Sequence, residues 1–417
     1  MTTIDRQLRL LSAFALLNYP FACVPFLYLY FRQHGLDAQG YGEVIAAYYA
    51  AMFVCEVPTG ILADRYGPKY AMVAGPLLLA AGFLCLLLWP AYAGFLTGEI
   101  LLGMAHAVLS GPPATLLFET LRSAGREHEY LRHEARNSAR RLFGTGLSFL
   151  LGGLVASLGN ATGTHYGATI VLTASLCVGA AAIAAGLSRP PHRPRLAPKL
   201  FFGQLLTALR LRPLQWLLLY WIVLFALLRF PFHHYLPYLE SAAAQEPLLG
   251  EAWLLGGLFA ALNLFAAPLS ASLPGLVARF GRRTLFWAMP LALCASLLVM
   301  AGERGLADAG HGSRWLAWLG VAMFFVQQVP FGLHQSLLYE FVNHRLGGDV
   351  RTTVLSLLSL GARLCYAAVN VLLFTFQDRH GIPAALLLVG SGGAVATVLV
   401  MAIRPRGLLR GRDRLEL

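Results

Sequence analysis

Glu56-Val57-Pro58-Thr59-Gly60-Ile61-Leu62-Ala63-Asp64-Arg65-Tyr66-Gly67-Pro68-Lys69 concentrates charged residues and two glycines within a long apolar region. It joins two apolar runs, 41–62 and 70–91, each about as long as the ~20 residues a membrane-spanning helix needs. Charges and glycines set between two such runs belong to a turn at a membrane face. Glycine permits the tight backbone and the close helix approach that such a turn needs. Asp64 is an anion suited to the positive N-terminal end of a neighbouring helix.

A weaker copy, Pro274-Gly275-Leu276-Val277-Ala278-Arg279-Phe280-Gly281-Arg282-Arg283, aligns with 60–69 at a constant offset of 214 residues. It keeps the pairs Leu62/Leu276, Arg65/Arg279, Gly67/Gly281 and Lys69/Arg283, while Ala278 stands at the position of Asp64. Gly111, Leu116, Leu117, Phe118 and Glu119 are echoed by Gly332, Leu337, Leu338, Tyr339 and Glu340 at an offset of 221. Two offsets near half the length mean an internal duplication.

The first stretch resembles the loop 2–3 signature of the major facilitator superfamily, Gly-x-x-x-Asp-Arg-x-Gly-x-Lys/Arg, in the variant preceded by Glu-x-Pro-Thr. Gly60, Asp64, Arg65, Gly67 and Lys69 match, and Pro68 replaces the usual basic residue. The resemblance implies an all-α membrane protein, with 12 transmembrane helices in two pseudo-symmetric six-helix halves. The halves are expected over 1–187 and 213–403. A cytoplasmic linker over 188–212, with four prolines and then an amphipathic helix, joins them, and a basic cytoplasmic tail over 404–417 follows.

Composition agrees. Of 417 residues, 57% are hydrophobic and 12% charged, against about 25% charged in soluble chains, and mean hydropathy is +0.62. Twelve apolar segments are expected at 9–31, 41–62, 70–91, 95–118, 142–160, 166–187, 213–236, 250–273, 284–301, 315–338, 352–376 and 384–403. The first is too long for a cleavable signal. Loop 4–5, Glu119 to Arg141, reads as a cytoplasmic helical extension of mixed charge. Of the 32 Lys and Arg, 26 fall on the side of the N-terminus, four on the other and two within segments. Arg304 and Arg314 are counted on the far side. By the positive-inside rule both termini are expected in the cytoplasm. The net charge of +12 is then topology, and no nucleic-acid partner is expected. The six cysteines lie one each in six apolar runs without metal-ligand spacing, as reduced packing residues do.

No Walker loop, nucleophile elbow or metal-ligand cluster is present in the sequence, so neither an enzyme nor a cofactor is expected. A charge at mid-helix costs about 2.5–3.5 kcal/mol on insertion scales, so polar residues inside the segments are functional candidates. The resemblance makes segments 1, 4, 7 and 10 the cavity lining. They carry Asn18 and Tyr19; Glu99, His106 and Ser110; Arg229, His233 and His234; and Gln327, Gln328 and His334. Arg363 adds a charge near the midplane of segment 11. Its planar fork suits a carboxylate, and it is the residue expected to hold an anionic substrate. Arg229 and His233, expected near the outer end of segment 7, either line the cavity or snorkel to headgroups. His106 and Glu99 are the proton-carrier candidates of segment 4. Segment 5 reads Gly144-x-x-x-Ser148-Phe149-x-x-Gly152-Gly153 where exporters of the superfamily carry Gly-x-x-x-Gly-Pro-x-x-Gly-Gly.

A cytoplasmic latch is expected from Glu56, Gly60, Asp64, Arg65, Gly67, Lys69, Glu119, Arg279, Gly281, Arg283, Glu340 and Arg351. In it Asp64 would sit against the N-terminal end of segment 11 at Thr352 and Thr353. The reading that follows is a monomeric secondary transporter in the cell membrane, the bacterial inner membrane, using protons to export a small anionic or zwitterionic organic molecule. Organic-anion uptake is the alternative within the class. A receptor or scaffold that kept the fold, and a lipid flippase, stand outside it.

Overall fold

A computed structural model describes residues 3–159, 165–188, 212–345 and 348–405, and every element within them is helical. Most of the expected linker, 189–211, and the tail from 406 lie outside the described residues. In chain order the helices are α1 (Thr3–Leu17), α2 (Leu27–Gln33), α3 (Ala38–Tyr66), α4 (Pro68–Leu88), α5 (Tyr92–Leu109), α6 (Pro112–Ser123), α7 (Tyr130–Gly159) and α8 (His165–Ala185). There follow α9 (Arg212–Ala242), α10 (Ala252–Ala266), α11 (Leu269–Leu306), α12 (Arg314–Arg345) and α13 (Gly348–Ala402).

Nine helices among the described residues are long and apolar enough to cross a membrane. Two of them, Ser272–His311 and Leu358–Ala402, run to 40 and 45 residues. That is about twice what one ~30 Å crossing takes at 1.5 Å per residue. Each is broken at a glycine of positive φ, Gly281 and Gly381. The outer faces are apolar: Leu88, Leu158, Trp315 and Leu372 are each more than two-thirds exposed, a surface made for lipid.

The stretch 56–69 folds with one residue of turn and no loop. α3 starts at Asp37, whose carboxylate accepts the Gly40 N–H at 2.7 Å, an N-cap. It stays helical through Pro58 to Tyr66, and α4 begins on Pro68, where the missing N–H costs nothing. Gly67 alone reverses the chain, at φ 92° and ψ 153°. The repeat does likewise, with Gly281 at φ 76° and ψ 154°. Arg65 lies over the Tyr66 ring at 5.6 Å and Arg279 over the Phe280 ring at 5.3 Å. The copies therefore share side-chain arrangement as well as backbone.

That φ/ψ region is open essentially to glycine alone. A Cβ at Gly67 or Gly281 would have no atom within 4 Å, so the requirement is one of backbone and not of space. Gly67→Ala and Gly281→Ala should each cost about 1–3 kcal/mol. Gly60, inside α3 and equally uncrowded, should accept Ala or gain up to about 1 kcal/mol. Thermal unfolding of the three purified variants separates these outcomes.

Contacts group the chain into two compact units, Met1–Leu196 with Glu251–Leu264, and Ala197–Gly250 with Phe265–Leu417. In the first, α4 packs on α5 and α8, and α3 on α5. In the second, α11 packs on α12 and α13, and α9 on α13. The expected helical extension of loop 4–5 is present: α7 starts at Tyr130, ahead of the expected 142. Arg126 grips Glu129 in a two-point pair at 2.6 and 2.8 Å, with Asp5 at 3.7 Å and His133 3.4 Å from Glu129. The guanidinium holds the Glu129 carboxyl down to about 2.

Candidate functional site

The expected first segment, 9–31, is two helices. α1 ends at Leu17, the backbone is irregular from Asn18 to Cys23, and a 3-10 turn at Val24–Phe26 leads into α2. Tyr19, at φ 68°, is the one non-glycine residue of positive φ among the described residues. Such a conformation costs an aromatic residue about 1–3 kcal/mol and persists only where its surroundings impose it. Here they do. The Tyr19 carbonyl accepts from Thr145 Oγ1 at 3.2 Å, and the Cys23 N–H donates to Thr173 Oγ1 at 3.0 Å. The Leu16 and Ala22 carbonyls lie directly on Gly144 and Gly152 of α7, where any Cβ would overlap them. Gly153 meets Gly256 of α10 backbone to backbone. The small residues of segment 5 thus serve close helix approach, and two of them frame the break in helix 1.

At the break, Tyr19 stacks on His106 with ring centroids 4.7 Å apart and planes at 10°. Phe21 lies at 5.6 Å and Tyr48 edge-on at 5.3 Å from the same imidazole. His106 Nδ1 is 3.0 Å from the Leu102 carbonyl. A carbonyl only accepts, so the neutral ring carries its proton on Nδ1 and presents Nε2 as an acceptor. Asn18 is 4% exposed, and its Oδ1 has no partner. Glu99, also 4% exposed, makes no hydrogen bond or ion pair among the described residues. Segment 4 breaks too: Ser110 ends α5, donating to the Ala107 carbonyl at 3.0 Å, and Pro112 opens α6 after Gly111.

In the second unit α9 runs unbroken through Pro231 and Pro237 to Ala242, past the expected end at 236. Arg229 therefore sits near the middle of its helix and not near the outer end. Its half-buried guanidinium lies 5.3 Å from the Phe225 ring centroid and 6.0 Å from that of Phe232. No carboxylate pairs with it among the described residues. His334 Nδ1 is 2.6 Å from the Phe331 carbonyl, and its ring stacks on Trp221 at 5.6 Å. His233 stacks on Tyr366 at 6.0 Å. Gln328 Nε2 lies 3.5 Å from the Tyr235 hydroxyl. Gln327 donates to Ser296 Oγ at 2.9 Å, within the packing of α12 on α11. Arg363 is half-buried in the limb of α13 before Gly381. Of the expected latch, the side chains of Asp64, Glu340 and Arg351, with Thr352 and Thr353, lie outside the described residues.

Two features are not evident from the apolar segments and the duplicated motifs alone. Phe14-Ala15-Leu16-Leu17-Asn18-Tyr19-Pro20-Phe21 recurs as Phe225-Ala226-Leu227-Leu228-Arg229-Phe230-Pro231-Phe232 at an offset of 211. Laying segment 1 against segment 7 is the signal that finds it. Asn18 and Arg229 are equivalent positions, and the same octapeptide is broken in one unit and helical in the other. The second feature corrects the placing of Arg304 on the outer side as a loop charge. α11 continues past the expected 301 to Leu306, and Glu303 and Arg304 are 3% and 1% exposed. They pair with each other. The Tyr238 hydroxyl donates to Glu303 Oε2 at 2.6 Å, and Arg304 Nη1 donates to Gln245 Oε1 at 2.8 Å. Gly320 leaves room for the Tyr238 hydroxyl, which any Cβ there would overlap.

A family model described as Major Facilitator Superfamily matches residues 10–368. Among solved structures, that of the nucleoside transporter NupG aligns with a TM-score of 0.81 at 13% identity, covering 97% of this chain and 100% of that one. A peptide transporter, POT, aligns with a TM-score of 0.72 at 17% identity, covering 97% and 95%. At these identities the likeness is one of fold. No curated protein matches the sequence significantly.

Proposed function

The chain belongs to the major facilitator superfamily, and from that premise we propose a proton-coupled secondary transporter that exports a small organic anion or zwitterion by alternating access. That it is a multi-pass membrane transporter of small molecules, and not an enzyme, follows from the family and the fold. The rest is our reading. We take Gly281 and Gly381 to divide their long helices; counting the interrupted first span, and α10 with the limb of α11 before Gly281 as one crossing, this gives twelve in two halves. We place a monomer in the bacterial inner membrane with both termini in the cytoplasm.

One observation carries the substrate charge. Arg229 stands at mid-helix between Phe225 and Phe232 with no carboxylate partner among the described residues. An unneutralised guanidinium inside a bilayer is retained for a ligand or an ion path. Its two-pronged donor face fits a carboxylate. Arg363 in the same unit adds to the positive potential that draws an anion. Glu99 and His106 are the proton carriers of this reading. Uptake of an organic anion is the second reading, favoured by Ser148-Phe149 where exporters carry Gly-Pro.

Proteoliposomes with an internal pH dye, offered a panel of organic acids under gradients of either direction, test both readings. Proton movement with an acid is expected, and its direction chooses between export and uptake. Arg229→Gln should weaken substrate affinity by about a hundredfold and Arg229→Lys by about tenfold, the loss of a charged, two-point hydrogen-bonded contact. The responsible one of Glu99→Gln and His106→Gln should lose gradient-driven accumulation yet keep counterflow. Normal affinity in well-folded Arg229→Gln would end the anion reading.

A further inference from the structure

Trp221 precedes Arg229 by two turns of α9. It is 6% exposed, and its indole Nε1–H has no acceptor. Other indoles of the same unit are satisfied: Trp216 Nε1 donates to the Val400 carbonyl at 2.7 Å, and Trp318 Nε1 to Glu246 at 3.3 Å. A buried donor without an acceptor is destabilising, and in a native fold it calls for a reason. His334 does not supply the acceptor, because its ring lies against the indole at an interplanar angle of 23° and so offers a face. Its Nδ1 is already committed to the Phe331 carbonyl. Trp221 and Arg229, eight residues apart on α9, thus present a neutral donor and a cationic donor, and neither has an acceptor among the described residues.

The duplication sharpens the point. At the offset of 211, Trp221 corresponds to Leu10 and Arg229 to Asn18. The first copy has neither an indole nor a guanidinium at these positions.

We propose that Trp221 is a substrate-binding residue whose indole N–H donates to a neutral oxygen of an organic anion held at its charged end by Arg229. This rests on the anion reading above and narrows it. The ligand is an organic acid carrying a carbonyl, ether or hydroxyl oxygen set apart from its carboxylate. The two residues are about 12 Å apart along the helix axis, the rise of eight helical residues, which sets the scale of that separation. The His334 ring stacks on the indole.

The test uses full-length detergent-purified protein and two matched probes, octanoate and 7-oxooctanoate, with equilibrium binding measured by calorimetry. Wild type should bind the oxo acid about tenfold more tightly than octanoate, as one well-placed hydrogen bond provides. Trp221→Phe, which keeps a ring against His334, should lose that preference and bind both acids with equal affinity. A tenfold preference that survives in Trp221→Phe, or no preference in wild type, overturns the role of Trp221. The wild-type comparison needs no variant to fold. Arg229→Gln should lose both acids; if it binds them normally, the anion reading itself fails. Wild type that binds neither acid at millimolar concentration overturns the ligand class.

Discussion

Glu303→Ala should destabilise the protein by about 3–5 kcal/mol, the cost of leaving a buried charge without its partner. Arg304 is 1% exposed and is held by Glu303, by Gln245 and over the Tyr238 ring at 5.3 Å. Removing the carboxylate also strips the Tyr238 hydroxyl of its acceptor. The pair itself contributes little relative to apolar packing of the same volume, because both ions are taken out of solvent to form it. The double replacement Glu303→Leu with Arg304→Met should therefore recover most of the loss. Thermal unfolding of single and double variants in one detergent decides the matter. A Glu303→Ala protein that melts with wild type would show that Arg304 reaches solvent or lipid headgroups.

Gly152→Val should be nearly as damaging, and Gly144→Val likewise. At each position a side chain must displace the carbonyl of Ala22 or Leu16, which is backbone and cannot swing aside as a rotamer does. Overpacking of this kind costs about 1–3 kcal/mol where side chains yield and more where they cannot. Transport should suffer before the fold does, since both carbonyls border the irregular segment that carries Tyr19. Gly257→Ala, with nothing within 4 Å, is the control that should melt with wild type or above it. If Gly152→Val keeps the wild-type melting temperature and full transport, the irregular segment after α1 does not meet α7 at that point in the membrane.

How much of this could be read in advance depends on the range of the forces involved. The long apolar segments, the signature between α3 and α4 and its echo were legible because length, hydropathy and a glycine-only turn are local properties. The break in segment 1 was not. Pro20 hints at one, yet Pro231 in the matching octapeptide sits inside a continuous helix. What differs is the company: Gly144, Gly152, Thr145 and Thr173 hold the first copy open, and they lie 120 residues or more along the chain. Arg304 misled for the same reason. Beside Glu303 and Asp308 it looks like part of a charged loop, and its burial becomes tolerable through Glu303 together with Tyr238 on α9 and Gln245 just past the end of that helix. Arg229 was named as a candidate, but its depth depended on where α9 ends.

The interrupted first span also bears on how the protein is made. α1 has 15 residues, about 22 Å of helix, which falls short of a ~30 Å hydrocarbon core. Exposed to lipid, the irregular backbone after it would leave polar groups unsatisfied. The groups that satisfy it, Thr145 on α7 and Thr173 on α8, emerge from the ribosome more than a hundred residues later. The first span is thus a provisional one, unable to reach its final form until the fifth and sixth segments have been delivered. A nascent chain halted after α4 should hold this span loosely, with its break open to chaperone, insertase or protease. Extending the chain through α8 should close it.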